Sequence, residues 1–170
     1  SLTVEYIVSE QFKTTNNIYS LWLAREIIQE PFVLIESDLI FTPPLLEDML
    51  LPDRIVISHI LPWMNGSTVS ISASSPHHVT DLHINPNQNI DGITYKTVNI
   101  YSLSRQSWNS ITRRLDFYIS AGKVNVYYEL VFAEMIADGS LDLECVFFDK
   151  AFWYEIDTLH DLREGARIFQ

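Results

Sequence analysis

The chain has 170 residues, 47% of them apolar, with 11 basic against 22 acidic side chains and a formal net charge of −11. That length and composition suit a single domain with one core, and the scattered basic residues, of which only Arg113 and Arg114 are adjacent, argue against a nucleic-acid partner. The longest apolar runs, FVLI and CVFF, are too short to cross a bilayer, the first residues lack the pattern of a signal peptide, and the lone Cys145 has no disulfide partner. A soluble, cytoplasmic protein is expected, with no membrane and no nucleic-acid contact.

LTVEYIV (2–8) alternates and is β-branched, which predicts a strand. NNIYSLWLAREIIQE predicts a helix over about 18–29, with Asn16 or Asn17 as its cap. The continuous apolar run Phe32 to Ile35 predicts a buried parallel strand, with Asp38 just past its carboxyl end. Pro43 and Pro44 open a short helix, LLEDMLL, and DRIVISHIL predicts the next strand.

Residues 67–103 alternate repeatedly, with turns at SSP, NPNQN and DG, and predict antiparallel strands. SRQSWNSITRRLDFYISAG puts Trp108, Ile111, Leu115 and Tyr118 on one helical face and ends at Gly122; NVYYELVFAEMIADG is a second helix, ended by Gly139. LDLECVFF and FWYEI predict strands, and TLHDLREGARIF spaces Leu159, Leu162, Ala166 and Phe169 as a helical stripe. The order predicts an α/β fold whose mixed, mainly parallel sheet is flanked by helices, in one domain over 1–170.

Ligands of open α/β sheets bind beyond the carboxyl ends of the strands. Asp38 and Asp157 both follow strands there, and two such carboxylates suit one Mg²⁺ whose other positions are filled by water and substrate phosphates. Asp157 has a second reading, as the cap of the last helix, a role open also to Thr158 with Asp161. Asp38 has one too, as an ordinary loop acid. No histidines have ligand spacing, and no serine sits in a nucleophile turn.

Four stretches then carry a resemblance: NNIYSLWLAREIIQEPFVLIESDLIFTPPLLEDMLL, KTVNIYSLS, NVYYELVF and WYEIDTLHDLREGARIF. In this order, over about Tyr6 to Phe169, they resemble the sugar-phosphate nucleotidylyltransferase superfamily. The nearest likeness is to phosphocholine cytidylyltransferase-type domains, including relatives fused to an aminotransferase domain. The resemblance implies a Rossmann-like fold and a Mg²⁺-dependent transfer from an NTP, with CTP expected, to a phosphorylated small molecule such as phosphocholine, aminoethylphosphonate or a sugar 1-phosphate. It implies Asp38 and Asp157 as catalytic metal ligands. For substrate binding it implies Asn99, Glu129, Asn17 and Ser20, and Lys96 is added as a candidate phosphate ligand on an alternating strand.

Plainer readings stand beside these: a helix cap for Asn17, a solvated strand lysine for Lys96, a solvated glutamate for Glu129. The aromatics Trp63, Tyr127, Tyr128 and Trp153 suit stacking or a cage around a quaternary ammonium, or plain packing.

The family's Gly-rich loop is absent from this sequence, whose five glycines, at 66, 92, 122, 139 and 165, are dispersed. The expectation is therefore the C-terminal part of a nucleotidyltransferase domain, truncated at the N-terminus, inactive alone, and exposing apolar surface that a homodimer would cover. The rival expectation is a non-catalytic binding or assembly module that keeps the fold.

Overall fold

A computed structural model describes residues 3–61, 64–84, 93–148 and 153–169. Trp63 and the NPNQN and DG turns lie outside the described residues. The first helix, α1 (Asn17–Ala24), is capped by Asn16, whose side chain accepts from the Asn17 amide, and buries Ile18 and Leu21. Strand β1 (Phe32–Ile35) is followed by a tight turn through Asp38 into β2 (Leu39–Phe41). The proline-led segment forms two short 3₁₀ helices, Pro43–Leu46 and Asp48–Leu50, at the place of the short helix expected there.

Strands β3 (Arg54–Ser58), β4 (Thr68–Ser72), β5 (Ser75–His83) and β6 (Ile93–Leu103) lead into helices α2 (Arg105–Ser120) and α3 (Tyr128–Ala137). Strands β7 (Glu144–Phe147) and β8 (Trp153–Glu155) and helix α4 (Leu159–Ile168) complete the described chain. The main sheet has the order β1-β6-β3-β7-β5-β4, and a further β4–β6 pairing closes it into a small barrel. Among the described residues only β3–β7 is parallel, so the expected mainly parallel sheet is corrected to a mixed, mostly antiparallel one.

The cause of that correction is β6. It is 11 residues long and takes three partners: its first half pairs with β4 on one edge, its second half with β1 on the same edge, and β3 lies along the other. The apolar run of β1 looked like a buried parallel strand, yet it is an antiparallel partner of β6. Thr3–Val8 is a second correction, because this alternating stretch forms no strand and leaves Tyr6 and Val8 85% and 78% exposed. Alternation specifies a strand only where a sheet edge accepts it.

Two cores sit on opposite sides of the sheet. Alternate residues of β3 serve both: Ile55 and Ile57 pack with α1, α2 and α3, and Val56 packs with Leu45, Met49 and Val98. That double burial accounts for the unbroken apolar run Ile55–Ile57. Trp108, Ile111, Leu115 and Tyr118 are all buried along α2, as their spacing predicts. The stripe predicted for α4 is not buried; Leu159 is 74% exposed, and the helix instead lays Gly165 against Ile40 and Tyr154. Among the described residues no helix is long and apolar enough to cross a membrane.

Candidate active site

A cleft of about 860 Å³ opens between the α1/α3 end of the sheet and the β2–β8 ribbon. Asn17, Ser20, Asp38, Asn99, Glu129 and Asp157 all line it. Six of the seven residues singled out in the sequence therefore share one cavity, although 118 residues separate the two aspartates. Lys96 stands at its wall, beside the cleft residues Gly66 and Glu155.

The two aspartates are brought to one place by the small antiparallel ribbon. Leu39 pairs with Glu155, and beyond that pair the Ile156 amide donates to the Asp38 carbonyl at 2.8 Å. Asp38 thus enters β2 where Asp157 leaves β8. Asp157 is not the cap of α4: Thr158 accepts from the Asp161 amide, and the Asp161 carboxylate accepts from the Thr158 amide in a reciprocal capping box. The Asp38 Oδ1 atom is buried and has no hydrogen-bond partner among the described residues.

Asn99 owes its position to a bulge. Between the Ile55–Tyr101 and Ile57–Thr97 pairs, β6 carries extra residues, and Asn99 adopts φ 56°. This is where β6 exchanges β4 for β1 as its neighbour. Bulges re-aim side chains, and here the Asn99 side chain receives the Thr97 hydroxyl at 2.8 Å and donates to Glu36 Oε2 at 2.9 Å. The other Glu36 oxygen accepts from the Tyr128 hydroxyl at 2.9 Å. Burial, then the nearby Glu129 carboxylate, push the Glu36 carboxyl up to about 7.

Asn17 is not the cap of its own helix. Its side chain reaches across to α3, accepting from the Tyr128 amide at 2.9 Å and donating to Glu129 Oε2 at 3.3 Å. Glu129 is 6% exposed, which corrects the reading of a solvated helix-face glutamate, and burial raises its carboxyl above the usual range. Lys96 is 2% exposed, which likewise removes the solvated-lysine reading. Its amine lies 3.4 Å from Glu155 Oε2, lacks a well-aligned hydrogen bond, and can sit there because Gly66 has no Cβ: one would lie 3.1 Å from Nζ.

Ser20 is exposed at the rim. Of the aromatics, Tyr127 lines the cleft and is 52% exposed, whereas Tyr128 is buried and Trp153 packs against the smaller core.

The sequence reading missed Glu36 and Glu155. A signal was present, because ESD and EID each place a glutamate two residues before the aspartate. Burial raises the Glu155 carboxyl, Lys96 opposes that rise, and both Asp157 and Asp38 add to it. All four acids therefore act on one region.

These carboxylates are hard oxygen donors. Asp38 and Asp157, with an orphaned Oδ1 on the former, fit a Mg²⁺ ion that keeps several waters and takes further ligands from phosphates. No group of three or more His, Cys, Asp or Glu side chains is arranged to hold a metal among the described residues.

Comparison with solved structures gives a superposition with CTP:phosphocholine cytidylyltransferase (LicC) from Streptococcus pneumoniae at TM-score 0.78 and 17% identity, over 95% of this chain and 67% of that one. The fold is that of the nucleotidyltransferases. The inositol-1-phosphate CTP transferase of T. maritima superposes at TM-score 0.70 and 17% identity, over 93% of this chain and 62% of its own. In sequence, the CMP-5'-(3-aminopropyl)phosphonate synthase of Streptomyces rubellomurinus is 24% identical over 173 residues, covering 96% of this chain. The chain spans only 27% of the length of that relative. No family model matches the sequence.

Proposed function

We propose that this chain carries the metal and acceptor side of a Mg²⁺-dependent nucleotidyl transfer, with CTP as donor and a small phosphate or phosphonate as acceptor. The observation that carries the reading is the placement of Asp38 and Asp157 at adjoining ends of paired strands, both facing one cleft. The CTP-dependent activities named for two similar structures, and the CMP–phosphonate product named for the sequence relative, support the choice of donor and acceptor.

In this reading the Asp38 and Asp157 carboxylates would hold Mg²⁺, which when bound supplies neutralising charge to the α-phosphate region. The chain's own residues then position. Lys96, buried behind the cleft lining beside Glu155, adds positive charge from there, and Asn17 and Asn99 hold the Glu129 and Glu36 side chains. An oxygen of the acceptor bonds to the α-phosphorus, the α–β phosphoanhydride bond breaks, and pyrophosphate leaves. The attacking oxygen is already an anion, so no side chain is needed to remove a proton. The work is orientation and charge neutralisation.

The direct test is pyrophosphate release, with Mg²⁺, each NTP in turn, and phosphocholine, aminoethylphosphonate or a sugar 1-phosphate, by this chain supplied with a Gly-rich nucleotide-binding segment, since the chain alone is expected to be inactive. Release with CTP and one of these acceptors is the expected result. No release with any pairing, from protein shown to be folded, would overturn the reading and favour a non-catalytic module. That rival draws on a specific observation: no lysine or arginine lines the cleft among the described residues.

A further inference from the structure

We propose that the free edge of β1 is a docking slot for one extended segment of polypeptide, apolar on both faces, which adds to the main sheet as its next strand and belongs to the chain that brings the nucleotide-binding part. The identity of that partner rests on the nucleotidyl-transfer reading; the slot itself does not.

The main sheet stops at β1 without a device that would end it. Among the described residues β1 has a single partner, β6, whereas β4 is paired along both of its edges. Its sequence, Phe-Val-Leu-Ile, in regular register with β6, has none of the lysines, prolines or bulges that keep an open edge from pairing.

All four residues of β1 line the cleft. Their side chains alternate between two faces, so a cavity that touches all four runs along the strand's edge. Leu21 and Ala24 of α1, and Ile28 just after it, line the same cavity. The helix therefore reaches past β1 and roofs the place, about 4.8 Å to the side, where a neighbouring strand would lie.

The chemistry of the occupant follows from what surrounds β1. Phe32 and Leu34 pack against the larger core and Val33 against the smaller one. A strand set beside them inherits both cores and needs apolar side chains at successive positions. Thr3–Val8 of this chain does not meet that need, because pairing there would put Glu5 into one of the cores. A second copy fits no better, since its own β1 would bring a second α1 overhang into the same space.

The remaining source is polypeptide outside this sequence. The two CTP-dependent structures match 95% and 93% of this chain but only 67% and 62% of themselves, which leaves about a third of each beyond the match. Among the described residues no lysine or arginine lines the cleft, so phosphate-binding groups are for the same partner to bring. Main-chain hydrogen bonds along the edge give such a segment its affinity, and its alternate side chains give it specificity.

Hydrogen exchange of the folded chain, alone and with the part of LicC outside the match made as a separate polypeptide, tests the slot. We expect binding to slow exchange of the outward-facing amides among Phe32–Ile35 at least tenfold and to leave those of α4 unchanged. Ala24→Arg puts a charged side chain under the roof and Ile35→Lys puts a guard on the edge. Each should weaken binding at least tenfold in a chain that melts as the unmodified one does.

No binding, binding that leaves the β1 amides unprotected, or unmodified affinity in either folded variant would overturn the inference. Protection of β1 in a complex that releases no pyrophosphate would support the slot and sink the transfer reading. Pyrophosphate release with β1 unprotected would do the reverse.

Discussion

The Ile156 amide donates to the Asp38 carbonyl at 2.8 Å, and that bond sets the two aspartates side by side. It continues the ladder Leu39–Glu155, Ile40–Tyr154, Phe41–Trp153 by one more step. Because it is made by backbone, it survives substitution of either carboxylate. Side-chain variants at the two positions therefore probe chemistry rather than chain path.

The first prediction separates capping from metal binding at the start of α4. Thr158→Ala removes half of the capping box and should cost about 1 kcal/mol of stability in urea unfolding. Asp157→Asn should move stability by less than about 0.5 kcal/mol and instead abolish Mg²⁺-dependent turnover. A larger stability loss for Asp157→Asn than for Thr158→Ala would return Asp157 to a structural role.

Gly66 is a second point of leverage. It has φ +91°, where L side chains are strained, and its Cβ would come within 3.1 Å of the Lys96 amine. Gly66→Ala should cost on the order of 1 kcal/mol from the backbone alone. It should also weaken phosphonate binding by displacing the amine, which titration with ethylphosphonate would register. Unchanged stability and unchanged affinity would show that Lys96 has more freedom than its burial implies.

Acid stability should depend on Asp138 at the end of α3. Hydrogen bonds from Ser140, then the guanidinium of Arg114, pull its carboxyl down to about 2 from an ordinary value of 3.8. A depressed carboxyl binds fewer protons in the folded state, so its contribution is present above about 3.8 and is lost as pH falls through about 2. Asp138→Asn should flatten the melting temperature in that window and leave its shape at pH 6 to 8 unchanged. An undiminished acid slope in the variant would contradict the assignment.

Much of this fold is written locally. The stripe Trp108, Ile111, Leu115, Tyr118 gives α2, and Gly122 and Gly139, at φ 73° and 76°, end the two helices. Pairing was less legible, because period and composition describe a strand's faces and say little about its neighbours. β1 has the apolar run of a parallel strand and pairs antiparallel. LTVEYIV has the alternation of a strand and finds no partner among the described residues.

The site divides in the same way. Asp38 and Asp157 were visible as acids at the ends of apolar runs, and Lys96 as a strand lysine. The bulge that turns Asn99 toward Glu36 depends on β6 changing partners, which no short window of sequence records.

The central claim is that Asp38 and Asp157 together hold one divalent cation. Mn²⁺, standing in for Mg²⁺, can be titrated into the protein in the presence of CTP and followed by electron paramagnetic resonance. The account predicts one bound Mn²⁺ per chain, with affinity weakened at least about tenfold by Asp38→Asn and by Asp157→Asn separately. Wild-type affinity in either folded variant would contradict it.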